Sequence, residues 1–211
     1  MVFVKVCGIT NPDDALFALA MGADAIGMIL APSTRRVDPD TVRDVVRALP
    51  ADAVVVGVFR DERPETILEV VEHARLRGVQ LHGHEIPRDA SMLRRRVPFL
   101  VQAFSAGDPR LARVDEYPVD AVLLDSSTPG SGVPFDWSLA DGVAPGKRVI
   151  LAGGLDADNV AAAVEQVRPW GVDASSGLES RAGRKDARKV RRFVAAASDA
   201  LAEFSSSEPS A

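Results

Sequence analysis

Apolar, largely β-branched runs alternate with helical patterns from one end of the chain to the other. The runs are Phe3–Cys7, Ala25–Leu30, Val54–Phe59, Gly78–Leu81, Phe99–Phe104, Ala121–Leu124, Arg148–Ala152 and Gly171–Ser175. They begin roughly every 20 to 30 residues, the size of one strand-plus-helix unit. Many are continuous rather than alternating, as strands of a parallel sheet covered on both faces should be. The first is an exception with consequences. Val2, Val4 and Val6 alternate with Phe3, Lys5 and Cys7, so a strand here puts the valines on one face and Lys5 with Cys7 on the other.

The helix starts between the runs are well marked. Thr10-Asn11-Pro12-Asp13-Asp14 combines a cap, a first-turn proline and acids that complement the helix dipole. Asp38-Pro39-Asp40 repeats the device ahead of Val42, Val45, Val46 and Leu49, and Asp156-Ala157-Asp158-Asn159 opens another helix. The last helix begins near Asp186 and carries Val190, Phe193, Val194, Ala197 and Leu201 on one stripe. Ser205–Ala211 is small and polar, and is expected to be a frayed, disordered tail. Eight units predict an α/β protein made of a single (β/α)8 TIM barrel over residues 1–204, near the lower size limit of that fold. An open doubly wound sheet is the alternative, but the first turn reads Cys7-Gly8-Ile9-Thr10 and lacks the glycine fingerprint of that class. No linker divides the chain.

Composition narrows the function. The 211 residues are 46% hydrophobic and 26% charged, with a net charge of −5, which is ordinary for a soluble domain and argues against non-specific nucleic-acid binding. The densest basic run, Arg94-Arg95-Arg96, reads as a solvated helix end before Pro98. A single cysteine excludes an internal disulfide and points to a reducing compartment. With no signal pattern and no membrane-length apolar run, the cytoplasm is the expected location.

In a barrel the chemistry sits at the carboxyl ends of the strands. Those positions hold Cys7, then Ala31-Pro32-Ser33-Thr34-Arg35-Arg36-Val37, His82-Gly83, Asp125, Gly153-Gly154 and Asp173-Ala174-Ser175-Ser176-Gly177. Glycine loops after the last two strands, with Ser175 and Ser176, let backbone N–H groups approach a phosphate. The alternative is that Gly153, Gly154 and Gly177 only make tight turns. Asp125, where an apolar run meets a loop, reads either as a cap or as a general acid. Cys7 reads as a buried small hydrophobe or as a reactive thiol, with Lys5 favouring the thiolate and Asp173 placed to pair with Lys5 instead. Arg35 and Arg36 are candidates for a substrate carboxylate. His82 is a candidate for orienting substrate or moving protons, or a structural histidine. His73 and His84 have no partner pattern. No metal-ligand spacing, nucleophile triad or nucleotide fingerprint is present in the sequence.

Taken together these segments resemble the phosphoribosylanthranilate isomerases of tryptophan biosynthesis. The resemblance is carried by Val4-Lys5-Val6-Cys7-Gly8-Ile9-Thr10, Gly22-Ala23-Asp24-Ala25-Ile26-Gly27, Val56-Gly57-Val58-Phe59, Val79-Gln80-Leu81-His82-Gly83 and Leu123-Leu124-Asp125. It continues through Phe135-Asp136-Trp137, Leu151–Val160, Val172–Glu179 and Gly183-Arg184-Lys185-Asp186. It implies a (β/α)8 barrel that converts N-(5'-phosphoribosyl)anthranilate to 1-(2-carboxyphenylamino)-1-deoxyribulose 5-phosphate with no cofactor and no metal. It also implies Asp125 as general acid, Cys7 as general base, the glycine loops on the phosphate and a loop arginine on the anthranilate carboxylate. Counting from the N-terminus selects Arg36 for that arginine, while aligning on Ser33-x-Arg35-x-Val37 selects Arg35. The loop after Asp125, Ser126–Pro134, departs from the family by its short length and by Val133-Pro134 where lysine-threonine is common. The expected partner is one small phosphorylated substrate, bound by a monomer or homodimer. Two rivals remain. A histidine-pathway phosphoribosyl isomerase, or a dual-substrate form, resembles this family but uses an aspartate as base on its first strand. A non-catalytic phosphate-ligand-binding barrel would need neither Cys7 nor Asp125.

Overall fold

A computed structural model of the chain describes residues 3–126, 137–140, 143–144 and 146–207. The elements follow the expected alternation: β1 (Phe3–Val6), α1 (Pro12–Ala20), β2 (Ala25–Ile29), α2 (Pro39–Ala48), β3 (Val54–Phe59), α3 (Pro64–Ala74), β4 (Gly78–Leu81), α4 (Pro87–Arg94), β5 (Phe99–Ser105), β6 (Ala121–Asp125), β7 (Arg148–Leu151), α5 (Val160–Val167), β8 (Gly171–Ala174) and α6 (Ala187–Ser207). A short hairpin, β9 (Glu179–Arg181) with β10 (Arg184–Lys185), lies between β8 and α6. Strands β1 to β8 pair in chain order and close into a barrel, with β1 parallel to β8 from Phe3↔Gly171 to Val6↔Ala174.

The predicted caps at Asn11 and Asp38 form, Asp186 caps the last helix in the same way, and Asn159 precedes α5 without a side-chain cap bond. Asn11 Oδ1 accepts the Asp14 N–H at 3.0 Å, Asp38 Oδ1 the Thr41 N–H at 2.8 Å, and Asp186 Oδ1 the N–H groups of Arg188 and Lys189 at 2.9 and 3.1 Å. Each satisfies donors that the first helical turn leaves unpaired. Two elements differ from the simple repeat. The segment after β5 is a 3-10 helix, Pro109–Glu116, broken at Arg113 (φ −122°, ψ 24°), and a 3-10 turn, Trp137–Ala140, precedes β7. Pro118 follows the first at once and leaves it no room to lengthen. Helix α6 runs to Ser207, so Ser205–Ser207 extend the helix rather than the tail. Elongating a formed helix adds one hydrogen bond per residue, which three serines tolerate. Residues 208–211 lie outside the described residues.

The alternation in β1 is borne out. Val4 and Val6 join the layer between sheet and helices, while Phe3, Lys5 and Cys7 point to the barrel axis. Phe3 stacks on Trp170 at 4.6 Å and meets Phe99 at 5.6 Å, closing the amino-terminal end of the barrel. Above it Val56, Val101, Leu123 and Ile150 fill the axis. The barrel wall is pinned twice by one device. Asp24 Oδ2 accepts the Val4 N–H and Asp120 Oδ2 the Leu100 N–H, both at 2.8 Å, while each aspartate N–H returns to the carbonyl of the same residue. Arg94, Arg95 and Arg96 are exposed at the end of α4, with Arg94 paired to Asp120 and Arg96 to Glu72, as a solvated helix end should be. No helix among the described residues is long and apolar enough to cross a membrane.

Candidate active site

The carboxyl ends of β1, β2, β4, β6 and β8 surround a cavity of about 180 Å³ at the barrel mouth. Cys7, Arg35, His82, Asp125, Asp173 and Ser175 all line it. Arg36 does not. The turn closed by Arg36 N–H to Ser33 O (3.2 Å) and Val37 N–H to Ile29 O (2.8 Å) sends Arg35 toward the axis and leaves Arg36 exposed on a separate outer groove beside α2 and α3. Of the two arginines, Arg35 is therefore the one at the cavity and Arg36 the one on the outer groove.

Cys7 is 5% exposed. Its seat exists because Gly27, opposite on β2, has no side chain: a Cβ there would stand 2.6 Å from Sγ. Directly below, Lys5 is fully buried and its Nζ donates to Asp173 Oδ1 at 2.9 Å. The anticipated pair is thus formed across the β1–β8 junction. Burial works to lower the Lys5 pKa, but Asp173 and Cys7 beside it hold the ammonium above its ordinary range. Burial pushes the Cys7 thiol up. Lys5 and Lys185 oppose that shift, and Asp173 adds to it. Lys5 alone therefore does not supply the thiolate, because burial and its partner carboxylate both work against it.

Removing one member of a buried ion pair leaves the other charge uncompensated, which costs about 3–5 kcal/mol. Lys5→Ala is expected to destabilise by that order in urea denaturation. Lys5→Met combined with Asp173→Leu, which removes both charges, should lie much closer to the wild type. Equal losses in the two variants would mean that packing, not charge, is what Lys5 provides.

On the far wall, Ser126 N–H donates to Asp125 Oδ1 at 2.7 Å, and His82 Nε2 lies 3.4 Å from Asp125 Oδ2. Gln80 Nε2 is 2.8 Å from His82 Nδ1. With the amide donating to Nδ1, the ring proton sits on Nε2 and faces Asp125. Gln80 Oε1 is buried without a partner among the described residues, as is Ser175 Oγ. Buried polar atoms are rarely left unpaired, and both residues line the cavity, so each is ready to meet a polar ligand.

The loops after β7 and β8 meet beside Asp125. Gly153 has φ +86°, and a Cβ on it would lie 2.6 Å from Ser126 N. Gly177 packs so tightly that a Cβ would collide with the Leu155 carbonyl oxygen. No described residue accepts from the N–H groups of Gly153, Gly154, Ser176 or Gly177. Of the loop residues expected here only Ser175 lines the cavity itself; Gly153, Gly154, Ser176 and Gly177 do not.

Glu179 and Lys185 were not singled out from the sequence, yet both belong here. Arg35 donates through Nε and Nη2 to the two oxygens of Glu179, at 2.7 and 2.9 Å, and Lys185 Nζ lies 3.3 Å from Glu179 Oε1. Only the family motif containing Gly183-Arg184-Lys185-Asp186 carried a signal for Lys185. The surface histidines pair with carboxylates well outside the cavity, His73 with Asp40 at 2.8 Å and His84 with Asp61 at 3.3 Å.

A family model described as N-(5'-phosphoribosyl)anthranilate (PRA) isomerase matches residues 4–196. This chain belongs to that family. The N-(5'-phosphoribosyl)anthranilate isomerase of Desulforudis audaxviator is 44% identical over 208 residues, covering 95% of this chain and all of the relative. The crystal structure of the family member from Thermus thermophilus superposes with a TM-score of 0.85 at 42% identity, covering 93% of this chain and 98% of that one. A further isomerase was solved in complex with reduced 1-(o-carboxyphenylamino)-1-deoxyribulose 5-phosphate. It matches at 37% identity and a TM-score of 0.82, over 94% of this chain and all of that one. The distinctive loop after Asp125, residues 127–134, lies outside the described residues.

Proposed function

We propose that this isomerase opens and rearranges N-(5'-phosphoribosyl)anthranilate between Asp125 as general acid and Cys7 as general base. The supporting observation is that these two residues, from opposite sides of the barrel, line one cavity together with the inward-facing Arg35. Asp125, in its acid form, donates a proton to the furanose ring oxygen. The C1'–O bond breaks, and the nitrogen lone pair forms the iminium. The Cys7 thiolate then takes the C2' proton, and the C–H electron pair moves into C1'=C2' as the iminium is neutralised to an enolamine. Loss of the enol O–H proton and protonation at C1' give the ketone. The iminium is the electron sink, so the rearrangement calls for no cofactor. The cycle leaves Asp125 ionised and Cys7 protonated. Proton exchange with solvent resets both groups, while the His82 Nε2–H beside Asp125 orients the carboxylate.

In this reading Arg35 takes the anthranilate carboxylate. The N–H groups of Gly153, Gly154, Ser176 and Gly177, which have no acceptor among the described residues, take the 5-phosphate, and Ser175 Oγ binds the ribosyl chain or the phosphate. Gly177→Ala should force the two glycine loops apart, a strain of about 1–3 kcal/mol that raises KM on the order of tenfold and affects kcat less. Steady-state kinetics read this directly, and an unchanged KM would remove Gly177 from the phosphate cradle. We place the enzyme in the cytoplasm, supported by its single cysteine, and expect a monomer or homodimer. The activity is tested by generating phosphoribosylanthranilate in situ and following the loss of its fluorescence. Decay no faster than without enzyme would overturn the assignment.

A further inference from the structure

The hairpin β9–β10 brings a second set of charges to the end of β1. Glu179, at its start, is buried and holds Arg35 through both carboxylate oxygens, at 2.7 and 2.9 Å. The same carboxylate faces Lys185 at 3.3 Å and accepts the Gly183 N–H at 3.3 Å. Lys185 is almost wholly buried. Its Nζ donates to the Ser175 carbonyl at 3.0 Å, and its backbone N–H is tied to Asp14 Oδ2 at 3.0 Å. The groups converge over Gly8, the residue after Cys7. A Cβ there would stand 2.6 Å from Ser175 Oγ, 2.8 Å from Arg35 Cδ and 3.5 Å from Lys185 Nζ.

One buried and one half-buried cation thus share one buried carboxylate beside the thiol. Two hydrogen bonds to Glu179 fix the plane of the guanidinium and leave its Nη1 edge for a ligand. One ammonium–carboxylate contact fixes Lys185 but only partly neutralises it. Every charged group facing Cys7 enters the balance: Lys5 and Asp173 below it, Lys185 and Arg35 above with Glu179 behind them, and Arg60, His82 and Asp125 across the cavity. Lys5 is matched by Asp173, whereas among the described residues Arg35 and Lys185 form ion pairs with Glu179 alone. That leaves one positive charge over on the Gly8 side, which a thiolate at Cys7 would match.

We propose that Glu179 is a positioning residue that serves both halves of the reaction, fixing Arg35 as a fork for the substrate carboxylate and holding Lys185 as the uncompensated cation over Cys7. The inference rests on Cys7 as base and Arg35 as carboxylate ligand. Opposite effects on the thiol separate this role from a merely structural one. Glu179→Gln keeps the size and one acceptor but removes the charge that restrains both cations. Lys185→Met removes the cation and keeps most of the volume.

Because Cys7 is the only cysteine, the rate of its alkylation by iodoacetamide against pH reads its ionisation without any turnover. Glu179→Gln is expected to raise KM on the order of tenfold and to move the alkylation midpoint down by about one pH unit. Lys185→Met is expected to move the midpoint up by about one unit and leave KM within about twofold. Circular dichroism and melting verify folding. If Glu179→Gln does not fold, Arg35→Lys takes over the first half, since a lysine cannot bridge both Glu179 oxygens. It should raise KM with the midpoint unmoved. Midpoints that stay at the wild-type value, or that shift in the same direction in Glu179→Gln and Lys185→Met, would overturn the proposal, as would a KM unchanged in every folded Glu179 or Arg35 variant. Alkylation midpoints that behave as expected in an enzyme whose Cys7→Ala variant stays active would instead fault the role of Cys7 and leave the positioning intact.

Discussion

Replacing Cys7 with alanine should lower kcat by about 10²–10⁴-fold, the usual contribution of a positioned general base. The protein should stay folded. The Cys7 N–H that completes the β1–β8 ladder, donated to the Ala174 carbonyl at 2.9 Å, does not depend on the side chain. The sulfur lies at the wall of an existing cavity, so its loss creates no new enclosed void. Cys7→Ser is the control for shape: a hydroxyl of nearly the same size is a far weaker base at neutral pH and should be as inactive as alanine. Near-full activity in either variant would exclude Cys7 as the base. The wild type should also show a characteristic pH dependence. Burial holds the thiol above its ordinary range, so at neutral pH the protonated form dominates the free enzyme. The thiolate fraction grows as pH rises, and kcat/KM should still be climbing between about pH 7 and pH 9, through the usual thiol range. This limb should be absent from the residual activity of Cys7→Ala.

Asp125→Asn should produce a loss of similar size, about 10²–10⁴-fold in kcat, for the complementary reason. Asparagine keeps the shape and a carbonyl oxygen that can accept the Ser126 N–H, the contact made at 2.7 Å in the native chain. What it lacks is a proton acidic enough to give to the ring oxygen. Substrate binding should change little, because the phosphate and carboxylate contacts lie on other loops, and KM should stay within a few-fold. A large rise in KM with kcat preserved would recast Asp125 as a binding residue and leave ring opening to another acid, His82 being the nearest.

The fold was legible because it rests on local rules. The caps at Asn11, Asp38 and Asp186 and the continuous apolar runs each answer to a few adjacent residues. The segment after β5 was less so, since its 3-10 geometry depends on the break at Arg113 and on Pro118 rather than on an apolar period. The site was legible where a residue's place on a strand decides its direction. Strand alternation puts Lys5 and Cys7 inward, and Asp173 falls opposite Lys5 in the β1–β8 register. It was not legible where loops decide. Arg35 and Arg36 are neighbours without a period, and only the turn around Ser33 separates the one that faces the cavity from the one that faces solvent. Nor does any spacing announce that Glu179 grips Arg35 across 144 residues of sequence. A long-range pair of this kind is set by tertiary packing alone.

The junction between β1 and β8 fixes the order in which a newly made molecule becomes useful. Cys7 leaves the ribosome long before Asp173 and Lys185, which complete its surroundings. Asp173 is 168 residues from the Lys5 it neutralises, Gly183 is 173 from the Thr10 hydroxyl its carbonyl accepts, and Lys185 is 171 from the Asp14 carboxylate its N–H binds. A nascent chain arrested before β8 holds a lysine with no counter-charge to accompany it into the interior, and the thiol lacks Lys185 and the loop that carries Ser176 and Gly177. Catalysis cannot begin cotranslationally by halves. Turnover in a pool of nascent chains would count only molecules whose last strand has docked against the first.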